Sequence, residues 1–364
     1  MTPRAPRWMR GLKTWHVLWR IARPEAPSPL RRFFAPSVAV EERELPAAGL
    51  TLRVRVYRPA RPVASAATLV VNGGFVAASI DDPRLKNFAT ALAETGFLVL
   101  TPDYPAVRTL TFTAGTIDQI HAVLRGVRDS PELGGAGPLG LIGLSYMATL
   151  GLKAALRPDR SSPPQVIGVF GGYADFRDLM HDVFRETYRY GTTDVPVDPY
   201  GRFLVLRSVV DYFDPPPEER EALRDLALRC GRREPEPAIE EAVGRLSPAG
   251  RASFHALRHF TPAGSPQLWE TILRDHRDVC EALSIREPPA QLRSRLVLLH
   301  SGHDHVLPSA GSLALHRRFP AAELVLTTLF THVNVRLTPG LAWSQLREFR
   351  HVARVFGRLM ALQE

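Results

Sequence analysis

The sequence predicts an α/β protein: a mostly parallel central β-sheet with helices on both faces, interrupted once by a long helical stretch. Three observations predict it. Continuous apolar runs of strand length (Ala67–Val71, Phe97–Thr101, Leu139–Ile142, Gln165–Phe170) alternate with amphipathic helical segments, as in a parallel sheet covered on both sides. Near residue 174 the alternation gives way to roughly a hundred residues of helical periodicity with proline-rich connections. At Arg295 it resumes and continues to the end.

Composition bounds the class of protein. The 364 residues leave room for a large domain plus an insertion, and 45% hydrophobic with 23% charged residues is the balance of a folded chain. A net charge of +9 raises the question of nucleic acid. The cations, however, are almost all arginine, with Lys13, Lys86 and Lys153 the only lysines, and they are spread along the chain. With no zinc-finger or RNA-recognition signature, no nucleic-acid partner is expected. Cys230 and Cys280 make neither a disulfide framework nor a metal site. No stretch approaches the roughly 20 apolar residues of a membrane span, so a cytoplasmic protein is expected.

Residues 1–36 form a distinct basic extension. Trp8, Leu12, Trp15, Trp19 and Ala22 fall on one helical stripe, with Arg10, Lys13, Arg20 and Arg23 largely off it, and Pro24 stops the helix. Basic residues interrupt any signal-like apolar core. Two readings stand: the helix packs its tryptophan stripe on the protein, or residues 7–23 make a peripheral contact with an anionic membrane.

Val38–Leu45 and Leu50–Tyr57 alternate with period two around Pro46–Gly49, the pattern of an antiparallel hairpin, and residues 58–62 break out of it. The strand Ala67–Val71 ends in Asn72-Gly73-Gly74-Phe75. Helices follow over Asp82–Thr95 and Thr113–Arg128, separated by the strand Phe97–Thr101. Within the helical stretch, Gly201–Phe213, Pro216–Cys230, Ala238–Leu246 and Gln267–Leu283 read as helices, with no strand among them. Phe184, Tyr188, Tyr190, Phe203, Tyr212 and Trp269 there could line an acyl pocket or form that region's core. The last part reads as strand Arg295–His300, helix Ser309–Phe319, strand Glu323–Phe330 and helix Leu341–Leu362.

The chemistry concentrates at Leu139–Leu156. A short buried strand turns at Gly143-Leu144-Ser145-Tyr146 and continues as helix, which is the setting of a nucleophile elbow. A serine hydroxyl attacks only when held exposed beside a base, and the Tyr146 amide at the helix start can face a developing oxyanion. The alternative is a serine that merely caps the helix.

Here the chain resembles the α/β-hydrolase superfamily, whose elbow reads G-x-S-x-G. Gly143 and Ser145 match, while Met147 replaces the second glycine and implies a roomier or shifted contact of the helix with neighbouring backbone. The resemblance covers residues 38–175 and 291–364. It implies an acid and then a histidine at later strand ends, and both are present: Asp304 in Ser301-Gly-His-Asp-His-Val-Leu-Pro308, and His332 in Thr331-His-Val333. Asn72-Gly73-Gly74-Phe75 resembles the family's His-Gly-Gly-Gly oxyanion loop, so Gly74 or Phe75 joins Tyr146 as donor. The acid and oxyanion loops fit the esterase, lipase and dienelactone-hydrolase-like branches. The resemblance implies that the helical insertion at 175–290 is a cap; the alternative is a helical domain with no part in binding.

The resemblance implies a carboxylic ester hydrolase with the triad Ser145, His332 and Asp304, acting on a small-molecule or lipid ester without cofactor or metal. The same triad serves an acylaminopeptidase-like peptidase or an acyltransferase. From another class, a non-catalytic scaffold would also account for Met147 and the basic N-terminal helix. A metal site from His300, His303, Asp304 and His305 would consume the acid loop. Asp103, at a strand end ahead of the nucleophile, is expected to make a structural hydrogen bond. His351 is expected on the surface or in the core.

Overall fold

The computed structural model describes residues 7–24, 28–30, 33, 37–59, 67–157, 163–287, 292–332, 334–335 and 343–364. The expected break over residues 58–62 and the expected helix start at Leu341 lie partly or wholly outside them. The chain divides into two compact units, one of Met1–Ala174, Ile285–His303 and Ser309–Glu364, the other of Asp175–Ser284 with Asp304–Pro308.

In the first unit, α1 (Arg7–Ala22) precedes the hairpin β1 (Val38–Ala47) and β2 (Leu50–Pro59). The hairpin is longer than expected. Its strands run through Pro46 and Ala47 to a two-residue turn at Ala48 (φ +49°) and Gly49 (φ +79°), the left-handed pair such turns demand. Then come β3 (Thr68–Asn72), α2 (Pro83–Glu94), β4 (Leu98–Pro102), the single turn α3 (Pro105–Arg108), α4 (Gly115–Asp129), β5 (Leu139–Leu144), α5 (Tyr146–Ala155) and β6 (Val166–Phe170).

The second unit contains α6 (Phe176–Asp182), the hairpin β7 (Thr187–Tyr190) and β8 (Thr193–Pro196), and α7 (Pro199–Ser208). It continues with α8 (Arg220–Gly231), α9 (Glu236–Gly244), α10 (Pro248–His259), α11 (Pro266–Asp275) and α12 (Arg277–Leu283). Helix α6 lies ahead of the expected helices, and the expected helix Gln267–Leu283 is broken at His276 into α11 and α12; two further corrections apply. The hairpin was not expected, although Thr-Tyr-Arg-Tyr is a good strand sequence, and Gly191 at φ +58° supplies its turn. Helix α10 was also missed, since its Pro-Ala-Gly opening reads as a loop. Ser247 caps it through a 3.0 Å bond from the Gly250 amide, with Pro248 in the first turn. Trp269 (3% exposed) packs among Phe184, Phe260 and His181, so these aromatics form the unit's own core.

Back in the first unit, β9 (Arg295–Ser301), α13 (Ala310–Arg318), β10 (Glu323–Thr327), the two-residue strands β11 (Phe330–Thr331) and β12 (Asn334–Val335), and α14 (Trp343–Met360) complete the chain. The main sheet has the order β1-β2-β4-β3-β5-β6-β9-β10; β1 and β2 are antiparallel to their neighbours and the rest run parallel. The register aligns the carboxyl ends: Asn72 pairs with Gly143, Leu144 with Phe170, Phe170 with Leu299, and Ser301 with Thr327. Loops leaving these strands therefore share one sheet edge.

Helix α1 packs on α2 and α14. Thr14, Val17 and Leu18 are buried, and Ile21 packs on the same core. Trp15 and Trp19 are half-buried and stacked at 4.9 Å, and Trp8 is 63% exposed. Aliphatic side chains fill the seam with α2 and α14, and the Nε1 of the half-buried Trp19 is itself enclosed. His16, fully buried, adds a 2.8 Å bond to Glu94 of α2.

Candidate active site

Ser145 sits where β5 ends and α5 begins, with φ +57° and ψ −136°. A non-glycine residue holds such a conformation at a cost of about 1–3 kcal/mol, and only when its surroundings over-determine it. They do here. The Ser145 amide donates to Phe170 O of β6 at 2.7 Å, and its carbonyl accepts from the Ala148 amide at 2.9 Å, the first bond of α5. The side chain makes no capping bond, which removes the helix-cap alternative.

The close approach at the elbow is carried by Gly143. A Cβ there would lie 2.4 Å from Ala148 Cα and 2.9 Å from Met147 O. Met147 itself is fully buried. Gly143 thus gives a close approach of strand and helix at the elbow.

The loop after β3 is tied down on one side and open on the other. Asn72, fully buried, accepts from the Tyr104 hydroxyl at 2.8 Å. A Cβ on Gly73 would meet Leu85 of α2 at 2.7 Å, whereas one on Gly74 would meet nothing within 4 Å. The Gly74 carbonyl accepts from the Val76 amide at 3.0 Å, which turns the chain sharply. Phe75 is buried and stacks on Phe112 and against Tyr146, with ring centroids 4.9 and 4.6 Å apart. Tyr146 also stacks on Tyr173. Burial pushes the Tyr146 phenol well above its ordinary pKa, so it stays protonated. An aromatic wall therefore joins the two candidate oxyanion segments.

His332 occupies the turn between β11 and β12, half-buried, at φ +37°. The expected strand Glu323–Phe330 in fact ends at Thr327, and the chain breaks to form this small hairpin. Glu348 of α14 explains the break: it accepts from the Thr327 hydroxyl (2.8 Å), the Thr328 amide (2.6 Å) and the Thr328 hydroxyl (2.9 Å). The Ser301 hydroxyl at the end of β9 donates to the Phe330 carbonyl, pinning the hairpin to the same sheet edge. Neither Ser301 nor Glu348 was singled out from sequence, because each acts through backbone groups far away in the chain.

Asp304 belongs to the second unit. It is 1% exposed; its Oδ1 accepts from the amides of Val306 and Leu307, both at 2.9 Å, and its carbonyl accepts from the Tyr188 hydroxyl at 2.8 Å. The two amide bonds fix the carboxylate's direction, and the Tyr188 bond holds the main chain. Thus Ser145, Tyr146, Gly74 and Phe75 lie with the His332 hairpin at the carboxyl edge of the first unit's sheet, and Asp304 lies in the loop that leaves β9.

The remaining candidates have structural partners. His300 is buried and bonds Ser312 Oγ at 2.7 Å. Among the described residues no three His, Cys, Asp or Glu side chains are grouped to hold a metal ion. Asp103 accepts from Ser79, Arg53 and Arg108 at 2.7–3.2 Å, the structural role expected of it. His351 is half-buried on α14. Cys280 is buried against Met180, and burial pushes its thiol up to about 11; Cys230 is half-buried.

No protein-family model matches the sequence, and no curated protein matches it. Solved structures do. A candidate hydrolase from Legionella pneumophila is 15% identical over 91% of this chain and 92% of its own, with a TM-score of 0.54. An esterase from Pyrobaculum calidifontis is 16% identical over 99% of this chain and 95% of its own (TM-score 0.47), and a bacterial heroin esterase 16% over 90% and 85% (TM-score 0.47). With the strand order and the serine elbow described above, the fold is that of the α/β-hydrolase superfamily.

Proposed function

We propose that the protein is a serine hydrolase that cleaves carboxylic esters, with Ser145 as nucleophile, His332 as base and Asp304 as the acid that orients it. The observation that carries this reading is the left-handed Ser145 at the strand–helix junction, strained yet without a capping role. Chain order supports the partners: serine, aspartate and histidine each follow a parallel strand of the same sheet.

Ser145 Oγ adds to the acyl carbonyl while His332 takes its proton. The resulting oxyanion is held by the amide of Tyr146 and that of Gly74 or Phe75. Collapse expels the alcohol, protonated by His332, and leaves the acyl-enzyme. Water, deprotonated by His332, then releases the acid and restores Ser145. No cofactor enters these steps. Residues 175–290 serve as the cap, and a small-molecule ester is the substrate class; the similar esterases support that choice only in kind.

The test is hydrolysis of p-nitrophenyl esters from acetyl to palmitoyl, together with labelling by a fluorophosphonate. Ser145→Ala should abolish both, and His332→Ala should lower turnover by about 10⁴ or more. Turnover or labelling that survives in Ser145→Ala would overturn the assignment. Wild-type protein that neither turns over nor labels would favour a scaffold.

A further inference from the structure

Helix α14 has two unlike faces. Phe349, Val352, Val355, Phe356, Leu359 and Met360 pack into the core beneath it. The opposite face carries Arg347, Arg350, His351, Arg354 and Arg358, spaced three or four apart so that they form one line. Helix α1 runs beside it and adds Arg10, and the two helices enclose an open groove of about 760 Å³. Arg347, Arg350, Arg354 and Arg358 are exposed.

Charge in this groove is poorly balanced. Arg10 pairs with Glu364 at 2.7 Å and Arg358 with Glu323 at 3.1 Å. Among the described residues no carboxylate pairs with Arg347, Arg350 or Arg354, and Glu348, the acid on this helix, is committed to Thr327 and Thr328. On α1, Trp8, two residues before Arg10 of the groove lining, is 63% exposed.

We propose that the α1–α14 face is a docking surface for an anionic lipid bilayer, with the arginines on headgroup phosphates and Trp8 inserted at the interface. Arginine charge alone would suit any polyanion. An exposed indole on the same helix as Arg10 favours a bilayer, whose boundary offers phosphate and hydrocarbon together. Among the described residues no helix is long and apolar enough to cross a membrane, so the contact is peripheral. It does not depend on the chemistry proposed for Ser145.

The experiment is co-sedimentation of the full chain with phosphatidylcholine vesicles, with and without added phosphatidylglycerol, at low and high salt. Binding should require the anionic lipid and fall with salt. Joint replacement Arg347→Gln, Arg350→Gln and Arg354→Gln should weaken it by about fivefold per arginine, on the order of 100-fold in all. Trp8→Ala should weaken it further without altering the salt dependence. The same loss of charge at Arg185, Arg189 and Arg245, exposed residues of the second unit, should cost a few-fold at most. Ser145→Ala should bind as wild type does, and hydrolysis of a soluble ester by the arginine variant should be unchanged. Equal weakening by the two triple variants, equal binding to neutral vesicles, or salt-sensitive binding to a short DNA duplex but not to vesicles would each overturn the proposal.

Discussion

Gly143→Ala is a one-methyl test of how the elbow is built. The added Cβ would lie 2.4 Å from Ala148 Cα, 2.9 Å from Met147 O and 3.0 Å from Ala148 N. Carbon atoms pack at about 3.5–4.0 Å, so the overlap is about 1 Å. All three opposing atoms are backbone, and no rotamer can relieve the clash. Either α5 lifts from the sheet, or β5 gives up pairing at Gly143, which sits between Asn72 of β3 and Val169 of β6. Overpacking of this kind costs about 1–3 kcal/mol, and rigid neighbours put this case at the upper end. Ser145, two residues on, would move with the junction, and a shift of about 1 Å can cost a factor of about 100 in reactivity. Urea unfolding should show the lost stability, and the rate of fluorophosphonate labelling should show the displaced serine. A variant within about 0.5 kcal/mol of wild type that labels at the same rate would refute the tight approach, since that is the ordinary range of a substitution with no structural consequence.

The same substitution should act in the opposite direction at Gly126, within α4, where a Cβ would meet nothing within 4 Å: Gly126→Ala should stabilise by about 0.5–1 kcal/mol in the same unfolding assay. Glu348→Gln should loosen the turn that leads to His332, lowering kcat for ester hydrolysis about tenfold with KM and melting temperature little changed; an unchanged kcat would show that the hairpin holds without it. Asp103 gives a pH prediction. Burial alone would raise its carboxyl pKa, but hydrogen bonds from Arg108, Ser79 and Arg53 outweigh it and hold the pKa below the ordinary value. The stabilisation is therefore fully present above the unfolded pKa of about 3.9 and is lost as pH falls through the lower folded one. The melting temperature should drop on acidification through that range, and Asp103→Asn should be less stable at neutral pH and show a shallower acid limb.

What the sequence determined by itself is whatever depends on neighbours in the chain. Alternating apolar runs and helical periods were enough for the sheet and its flanking helices. Gly143-Leu144-Ser145 was enough for the elbow, since a strand that turns at once into a helix constrains the residue between them. Asp304 and His332 were legible as loop residues after strands. Tertiary structure decided the rest, because the reasons lie far apart in sequence. Gly143 proves indispensable only against the backbone of Ala148. The last strand stops at Thr327 because Glu348, about twenty residues later, binds the chain there. The seam of α1 with α2 and α14 is filled by Val17, Leu18 and Ile21, which the tryptophan stripe did not reveal. The arginines of α14 are lined up by their own helical spacing, but only the fold sets that line beside Arg10. A sequence states which side chains are available, and packing determines which of them meet.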